Sequence, residues 1–314
     1  MLRVIVLGSA AGGGVPQWNC GCAVCDAARS EEYVARAPAL HRLQLSATQC
    51  SLAISVDDVN WLLVNASPDL RQQIAQTPAL WPETRTRHTP ISAVVLTNGE
   101  IDAIAGLLSM REGAPFTIYA HEQVLGILAG NSIFGVLPEA RVPRIPMVPG
   151  VPFAPVGADG ATFGLTVTAF TVPGKPALYL ETAGAGSEGD TLGLDIRSDN
   201  GNGRVLVVTA CAAMTPELQA ILQGAPLVFF DGTVWRDDEL IAAGLADKTA
   251  QRMGHMAMSG PGGVMAALEE SGIRRKVFLH VNNSNPALLP DTVEHAELKR
   301  RGWLLARDGM EFRL

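Results

Sequence analysis

Three cysteines fall within the short segment Asn19-Cys20-Gly21-Cys22-Ala23-Val24-Cys25. Thiolates this close together can converge on one tetrahedral zinc ion, because Gly21 and the surrounding loop let the backbone fold around it. The plainer alternative is three independent buried thiols. The two remaining cysteines, Cys50 and Cys211, stand alone. An odd, clustered set reads as metal ligation in a reducing compartment rather than as disulfides. No fourth ligand lies next to the cluster. Asn283, Asp291 and His295, all in the C-terminal quarter, are the candidates, and any of them would tie the N-terminal loop to the end of the chain.

A second set of reactive side chains sits where apolar runs end. Residues 91–97 read as a buried strand and lead into Asn98-Gly99-Glu100-Ile101-Asp102-Ala103. Polar groups at the carboxyl end of a strand, ahead of a helix, are well placed for a site. Glu100 and Asp102 can share one metal; equally, they can cap the helix and favour its dipole. Asp69 follows the run 59–65, Asp231 closes Val228-Phe229-Phe230, and His280 closes Val277-Phe278-Leu279. Each alone has an ordinary reading; together they point to one shared rim, with Asn98 and Asp69 expected on its substrate-binding side. His255 lies among small residues and methionines in Met253-Gly254-His255-Met256. It reads as a ligand or proton-transfer group, or else as a core histidine with a satisfied hydrogen bond. His41, His88 and His121 are expected at the surface.

These residues need elements to position them. A continuous β-branched run at 2–8 predicts a buried strand, followed by a Gly-rich loop at 9–19 and a short helix near Ala27–Glu32. Runs at 50–56 and 59–65 around Asp57-Asp58 predict a hairpin. Ser67 and Pro68 predict the cap and first position of a helix ending near Gln76. Helical spacing of Ile101, Ile104, Leu107 and Leu108 predicts a helix over 101–112, ended by Gly113. A strand at 116–120 and a helix at 121–129 follow. The Pro- and Gly-rich stretch 138–161 reads as a long surface connection. Strands are expected at 165–172, 178–183, 191–196 and 204–209, with Asn200-Gly201-Asn202-Gly203 as a hairpin turn between the last two. Helix 215–222, strand 226–231, helix 261–271, strand 276–281 and helix 291–300 continue the alternation. A hairpin over 303–313, turning at Asp308-Gly309, is expected to close it. No composition shift marks a linker, so one domain spanning 1–314 is expected.

The chain has 314 residues, 47% of them hydrophobic, and a net charge of -7. The acidic balance argues against nucleic acid, which requires a basic surface, and against an anionic membrane surface. Neither a secretory signal nor an 18-residue apolar run is visible. A soluble cytoplasmic protein is the expectation.

Several segments, in order along nearly the whole chain, resemble one family. They are Gly8-Ser9-Ala10-Ala11-Gly12-Gly13-Gly14-Val15-Pro16-Gln17-Trp18-Asn19-Cys20, Asn65-Ala66-Ser67-Pro68-Asp69-Leu70-Arg71-Gln72-Gln73-Ile74, Phe230-Asp231-Gly232-Thr233, Gly254-His255-Met256 and His280-Val281-Asn282-Asn283-Ser284-Asn285-Pro286. The family is that of the coenzyme PQQ (pyrroloquinoline quinone) synthesis protein B, within the metallo-β-lactamase-like superfamily. Phosphodiesterase-type members of the superfamily have a similar Cys-x-Cys-x-x-Cys loop. The resemblance implies an α/β (α+β) fold, an αββα four-layer sandwich with its site at the sheet edges.

The departures are informative. A hydrolytic member carries His-x-His-x-Asp-His after the strand at 91–97; here Asn98 and Glu100 replace the first two histidines and Ala103 the last. The next superfamily histidine would fall near Pro173-Gly174-Lys175, and the bridging aspartate near Ala210. A two-metal, water-activating centre and hydrolysis are therefore disfavoured. What the family implies instead is PQQ biosynthesis: an iron-dependent hydroxylation of the tyrosine ring in a crosslinked Glu–Tyr precursor. Glu100, Asp102 and His280 are then candidate Fe2+ ligands, with Asp231 near and His255 as acid or base, beside a structural Zn2+ at the cysteines. Two histidines and a carboxylate are available only if His255 turns inward. The competing role is a carrier moving PQQ or its precursor toward the periplasm. Neither role sets an oligomeric state.

Overall fold

The computed structural model describes residues 1–30, 45–183 and 188–314. Among these residues fourteen strands form two seven-stranded sheets. The first contains β1 (Arg3–Gly8), β2 (Ser51–Ser55), β3 (Trp61–Val64), β4 (Ile91–Val95), β5 (Thr117–Ala120) and β6 (Arg144–Pro146). The second contains β7 (Pro152–Phe153), β8 (Leu165–Thr171), β9 (Leu192–Ser198), β10 (Arg204–Val208), β11 (Val228–Asp231), β12 (Lys276–Leu279) and β13 (Trp303–Leu305), and β14 (Glu311–Arg313) returns to the first sheet. The orders are β14-β1-β2-β3-β4-β5-β6 and β13-β12-β11-β10-β9-β8-β7. Among the described residues the α-helices are α1 (Ala23–Arg29), α2 (Leu70–Gln76), α3 (Ile101–Ile104), α4 (Glu122–Gly130), α5 (Pro216–Leu222), α6 (Glu239–Ala242), α7 (Val264–Ala267) and α8 (Val293–Arg300).

The period of two along each strand builds the layers. Val4 and Val6 of β1 join Val205, Val207, Phe229 and Val277 in a core between the sheets. The intervening Ile5 and Leu7 pack with Leu70, Ile104 and Leu128 on the outer face of the first sheet. Leu206, Val208 and Phe230 do the same with Leu218, Val264 and Leu298 on the second. Strands apolar on both faces are what sheets covered on both sides require. The expected four-layer αββα sandwich is the observed architecture. Among the described residues no helix is long and apolar enough to cross a membrane.

Several elements depart from their expected form. The helix expected near 27–32 begins earlier, at Ala23, and ends at Arg29; its remaining expected residues, 31 and 32, and His41 lie outside the described residues. Ser67 does not cap α2: its Oγ turns inward to Gln73 Oε1, and Asp69 takes the cap position. The helix expected over 101–112 is α-helical only to Ile104 and continues as a 3-10 helix over Ala105–Met110. His121 is half-buried rather than superficial, accepting the Gln123 N–H at the start of α4. The stretch 138–161 contains β6 and the two-residue β7. Residues 178–183 form a 3-10 helix, not a strand. The expected helix 261–271 shrinks to one turn, since glycines crowd its start: a Cβ on Gly263 would lie 2.2 Å from the Ser259 carbonyl oxygen. The expected 303–313 hairpin does not form. β13 pairs parallel with β12, while β14 pairs antiparallel with β1, so the Asp308-Gly309 turn crosses between sheets.

Candidate active site and thiol cluster

Asp231 is the last residue of β11 and fully buried. His280 follows β12 directly and adopts a left-handed backbone with φ 57, a conformation uncommon for a residue with a Cβ and one that gathers at functional sites. Asp102 enters from α3, beyond β4. His255 follows Gly254, whose φ of 91 turns the chain back toward the sheet. The four side chains converge. His280 Nε2 lies 2.9 Å from Asp102 Oδ2, and His255 Nδ1 lies 2.8 Å from Asp231 Oδ2. The two imidazoles stack with centroids 5.4 Å apart. Asp231, His255 and His280 each offer a donor atom within 4.8 Å of the others.

Thr233 joins the two pairs. Its hydroxyl lies 2.7 Å from Asp231 Oδ1, 2.9 Å from His280 Nδ1 and 3.1 Å from His255 Nδ1. A hydroxyl that gives its proton to Asp231 can accept an Nδ1–H from the histidines, which turns each Nε2 away from Thr233, that of His280 toward Asp102. Burial works against ionisation of both Asp102 and His280. Their mutual hydrogen bond and charges outweigh it, holding the Asp102 carboxyl below its ordinary range and the His280 imidazole above its own.

Asp102, Thr233, His255 and His280 form the floor of a cavity of about 920 Å3, with Asp231 buried behind them. Asn98 lines it, and so do Lys175 and Ala210, at the positions where the superfamily's further histidine and aspartate would fall. Two expected residues do not join this group: Glu100 lines the cavity wall and Asp69 lies outside it. Both oxygens of Glu100 are engaged by the 175–178 segment: Lys175 Nζ lies 2.9 Å from Oε1, and the Leu178 N–H donates to Oε1 and Oε2. Opposite charge thus holds Glu100 against Lys175 on the cavity wall. Asp69 does not line the cavity; its Oδ2 accepts from the backbone and side chain of Gln49, which does. Ala103 is packed in the outer apolar layer. Sequence reasoning missed the part played by Thr233, although it stands two residues after Asp231 in a segment already singled out. It also missed Lys175, Glu181 and Lys248, because nothing local marks an ion pair between distant loops.

The thiols of Cys20, Cys22 and Cys25 lie within 4.8 Å of one another and can hold a metal. Arg29 of α1 closes their loop by donating to the carbonyls of Gln17 and Cys20. Of the three candidates for a fourth position, Asn283 is brought to the cluster: its Nδ2 lies 3.3 Å from Cys25 Sγ, and its carbonyl oxygen 3.4 Å from Cys22 Sγ. His295 instead has its Nδ1 2.7 Å from the Ala287 carbonyl oxygen. Burial, the largest influence, pushes the Cys22 thiol up to about 11. Asn283 adjoins Asn282, a cavity-lining residue two positions beyond His280, so the thiol cluster buttresses the loop that carries His280.

Residues 60–281 match the model of the β-lactamase superfamily domain. The coenzyme PQQ synthesis protein B of Rhodopseudomonas palustris is 58% identical over 320 residues, covering 100% of both chains. That of Bradyrhizobium diazoefficiens is 53% identical and covers 99% of both. The crystal structure of zinc-bound PqqB from Methylobacterium extorquens superposes with a TM-score of 0.90 at 44% identity, covering 99% of this chain and 100% of that one. Two sheets layered between helices, a site at the strand ends and full-length identity of this order agree: the chain belongs to the coenzyme PQQ synthesis protein B family, with a metallo-β-lactamase fold.

Proposed function

We propose that this member of a PQQ-biosynthesis family hydroxylates the tyrosine ring of a crosslinked Glu–Tyr precursor, using ferrous iron held by Asp102 and His280. The observation that carries the reading is their 2.9 Å separation beside the buried Asp231–His255 pair. Two donors each about 2.1 Å from one metal, at right angles, lie about 3.0 Å apart. Mixed imidazole and carboxylate donors suit iron. His255 is the acid–base group, oriented by Asp231 through Nδ1; should its ring join the metal, it completes a set of two histidines and one carboxylate. Bound iron supplies dioxygen activation. The residues supply the rest: Thr233 fixes ring orientation, and Asn98 lines the cavity that would take the substrate. One oxygen atom replaces a ring hydrogen as hydroxyl; the other leaves as water with two electrons and two protons from an external reductant.

The test is anaerobic iron loading, followed by precursor, reductant and oxygen, with product mass as readout. Gain of one oxygen atom in wild type and its loss in His280→Ala is the expected result; equal product in both would sink the assignment. The carrier role is favoured by a different observation, the absence of metal donors at Asn98, Ala103, Lys175 and Ala210. Precursor binding without iron-dependent turnover would make it the better reading.

A structural zinc at Cys20, Cys22 and Cys25, with Asn283 at the fourth position, accompanies this centre. The zinc-bound relative and the thiol geometry support it. Cys22→Ser should lower both zinc content and melting temperature, because structural zinc contributes to folding directly; unchanged stability in a zinc-free wild type would refute it. All five cysteines are free, which supports action in the reducing cytoplasm.

A further inference from the structure

The cavity wall above Asp102 and His280 carries a run of alternating charge. Lys175 Nζ lies 2.9 Å from Glu100 Oε1 and 3.0 Å from Glu181 Oε1, and Lys248 Nζ lies 2.5 Å from Glu181 Oε2. One carboxylate is thus held between two ammonium groups, one oxygen to each. It comes from a 3-10 turn, Leu178–Ala183, whose Leu178 and Tyr179 are largely exposed. Lys248 first, then Lys175, hold the Glu181 carboxyl below its ordinary range. Among the described residues lining the cavity, Lys175 and Lys248 are the only lysines or arginines. Beside them Leu178, Tyr179, Leu240 and Met253 present an apolar wall.

We propose that Lys175 and Lys248 form a carboxylate-binding subsite occupied here by the protein's own Glu181, and that its ligand is a small aromatic polycarboxylate whose carboxylate displaces Glu181. The exchange keeps the charge balance of the two lysines, since one carboxylate replaces another. The released Glu181 is near the surface, where water can solvate it. An apolar wall alongside paired cations suits a flat ring that bears acid groups. Charge also sets the direction of binding. Lys175 and Lys248 are the cavity's only ammonium groups among the described residues, so the acid end lies at the lysines and the uncharged part of the ring faces His280. The proposal rests on reading the cavity as the small-molecule site, and is independent of iron and of turnover.

Calorimetric titration of the full chain with PQQ and with trimesate, both aromatic polycarboxylates, tests it. Glu181→Gln should bind both roughly tenfold more tightly, because self-occupancy no longer reduces the competent fraction. Lys248→Met should bind them roughly tenfold more weakly and with a shallower salt dependence. Circular dichroism melts report whether each variant is folded, and Lys248→Arg, which keeps the charge, should bind close to wild type. Wild-type affinity in both Glu181→Gln and Lys248→Met would overturn the subsite and leave a purely structural clasp. If the precursor is still hydroxylated normally in that case, only the subsite falls. If neither probe binds any variant, wild type included, and no turnover is seen, the small-molecule reading of the cavity falls with it.

Discussion

A single hydroxyl, that of Thr233, meets one carboxylate oxygen, two imidazole nitrogens and the His280 carbonyl oxygen, the last at 3.0 Å. Giving its one proton to an oxygen, it is placed to accept from a ring Nδ1–H and so to hold the rings in place. Groups that orient a ligand in this way typically contribute 10–100-fold in metal affinity. Thr233→Val should therefore weaken ferrous-iron binding by about that factor, while Thr233→Ser keeps it near wild type. Iron titration checks this, and equal affinity in Thr233→Val and wild type would show that the rings need no such support. At this scale the sequence exposed the reactive groups, because an aspartate or histidine closing an apolar run stands out. Pairings such as Asp102 with His280, 178 residues apart, left no local trace.

At the scale of elements, α6 begins on a buried carboxylate. Glu239 Oε2 accepts the Trp235 N–H at 2.6 Å and the Arg236 N–H at 3.3 Å. Burial nevertheless dominates and pushes its carboxyl from 4.5 up to about 7. Because the folded value is raised, the folded state holds this proton more tightly than the unfolded chain does. Its contribution to stability is complete below about pH 4.5 and is lost as pH rises through about 7. The loss at pH 8 is at most about 3 kcal/mol. Glu239→Gln keeps an acceptor for both N–H groups, so it should flatten that decline and be the more stable form at pH 8. Denaturant unfolding at pH 5 and pH 8 measures it; parallel pH profiles for the two proteins would rule the account out. Short elements such as this one were poorly legible, since tertiary contact decides their ends. Gly106 illustrates the point: a Cβ there would lie 2.0 Å from the Ser67 carbonyl oxygen, and its N–H donates to the Ala66 carbonyl. That close approach accompanies the switch from α to 3-10 geometry after Ile104.

Across the whole molecule, Asp308 stands at the crossover between the sheets. It accepts four hydrogen bonds, from the backbone and hydroxyl of Ser9 at 3.0 and 2.9 Å and from those of Thr48, both at 2.7 Å. Ser9 opens the Gly-rich loop whose Ala11, Gly12 and Gly13 line the cavity. Asp308→Ala would remove the acceptor of all four donors, of which the Thr48 hydroxyl alone keeps another, the Leu7 carbonyl oxygen at 3.2 Å. It should cost roughly 2–4 kcal/mol, given the penalty for stranded polar groups, and should weaken binding of PQQ as the loop loosens. Denaturant unfolding and titration check both effects. A stability change below about 0.5 kcal/mol, the range of an ordinary surface substitution, would show that the crossover is not anchored here.

The amino-acid order by itself determined the central strands of both sheets but not β6 or β7, because apolar runs such as Val4–Leu7 and Val228–Phe230 have few alternatives to burial. It also determined the thiol cluster, whose spacing is local, and, through long matching segments, the family. Only the tertiary structure decided the partners. Trp303–Leu305 and Glu311–Arg313 look like two arms of a hairpin, yet they join different sheets, because β12 and β1 each offer an unpaired edge. Glu100 looks as good a ligand as Asp102 until Lys175, 75 residues away, takes its carboxylate. Local preference fixes what a segment can become; which charge or strand edge it meets depends on residues distant in sequence, and that pairing set the chemistry of this cavity.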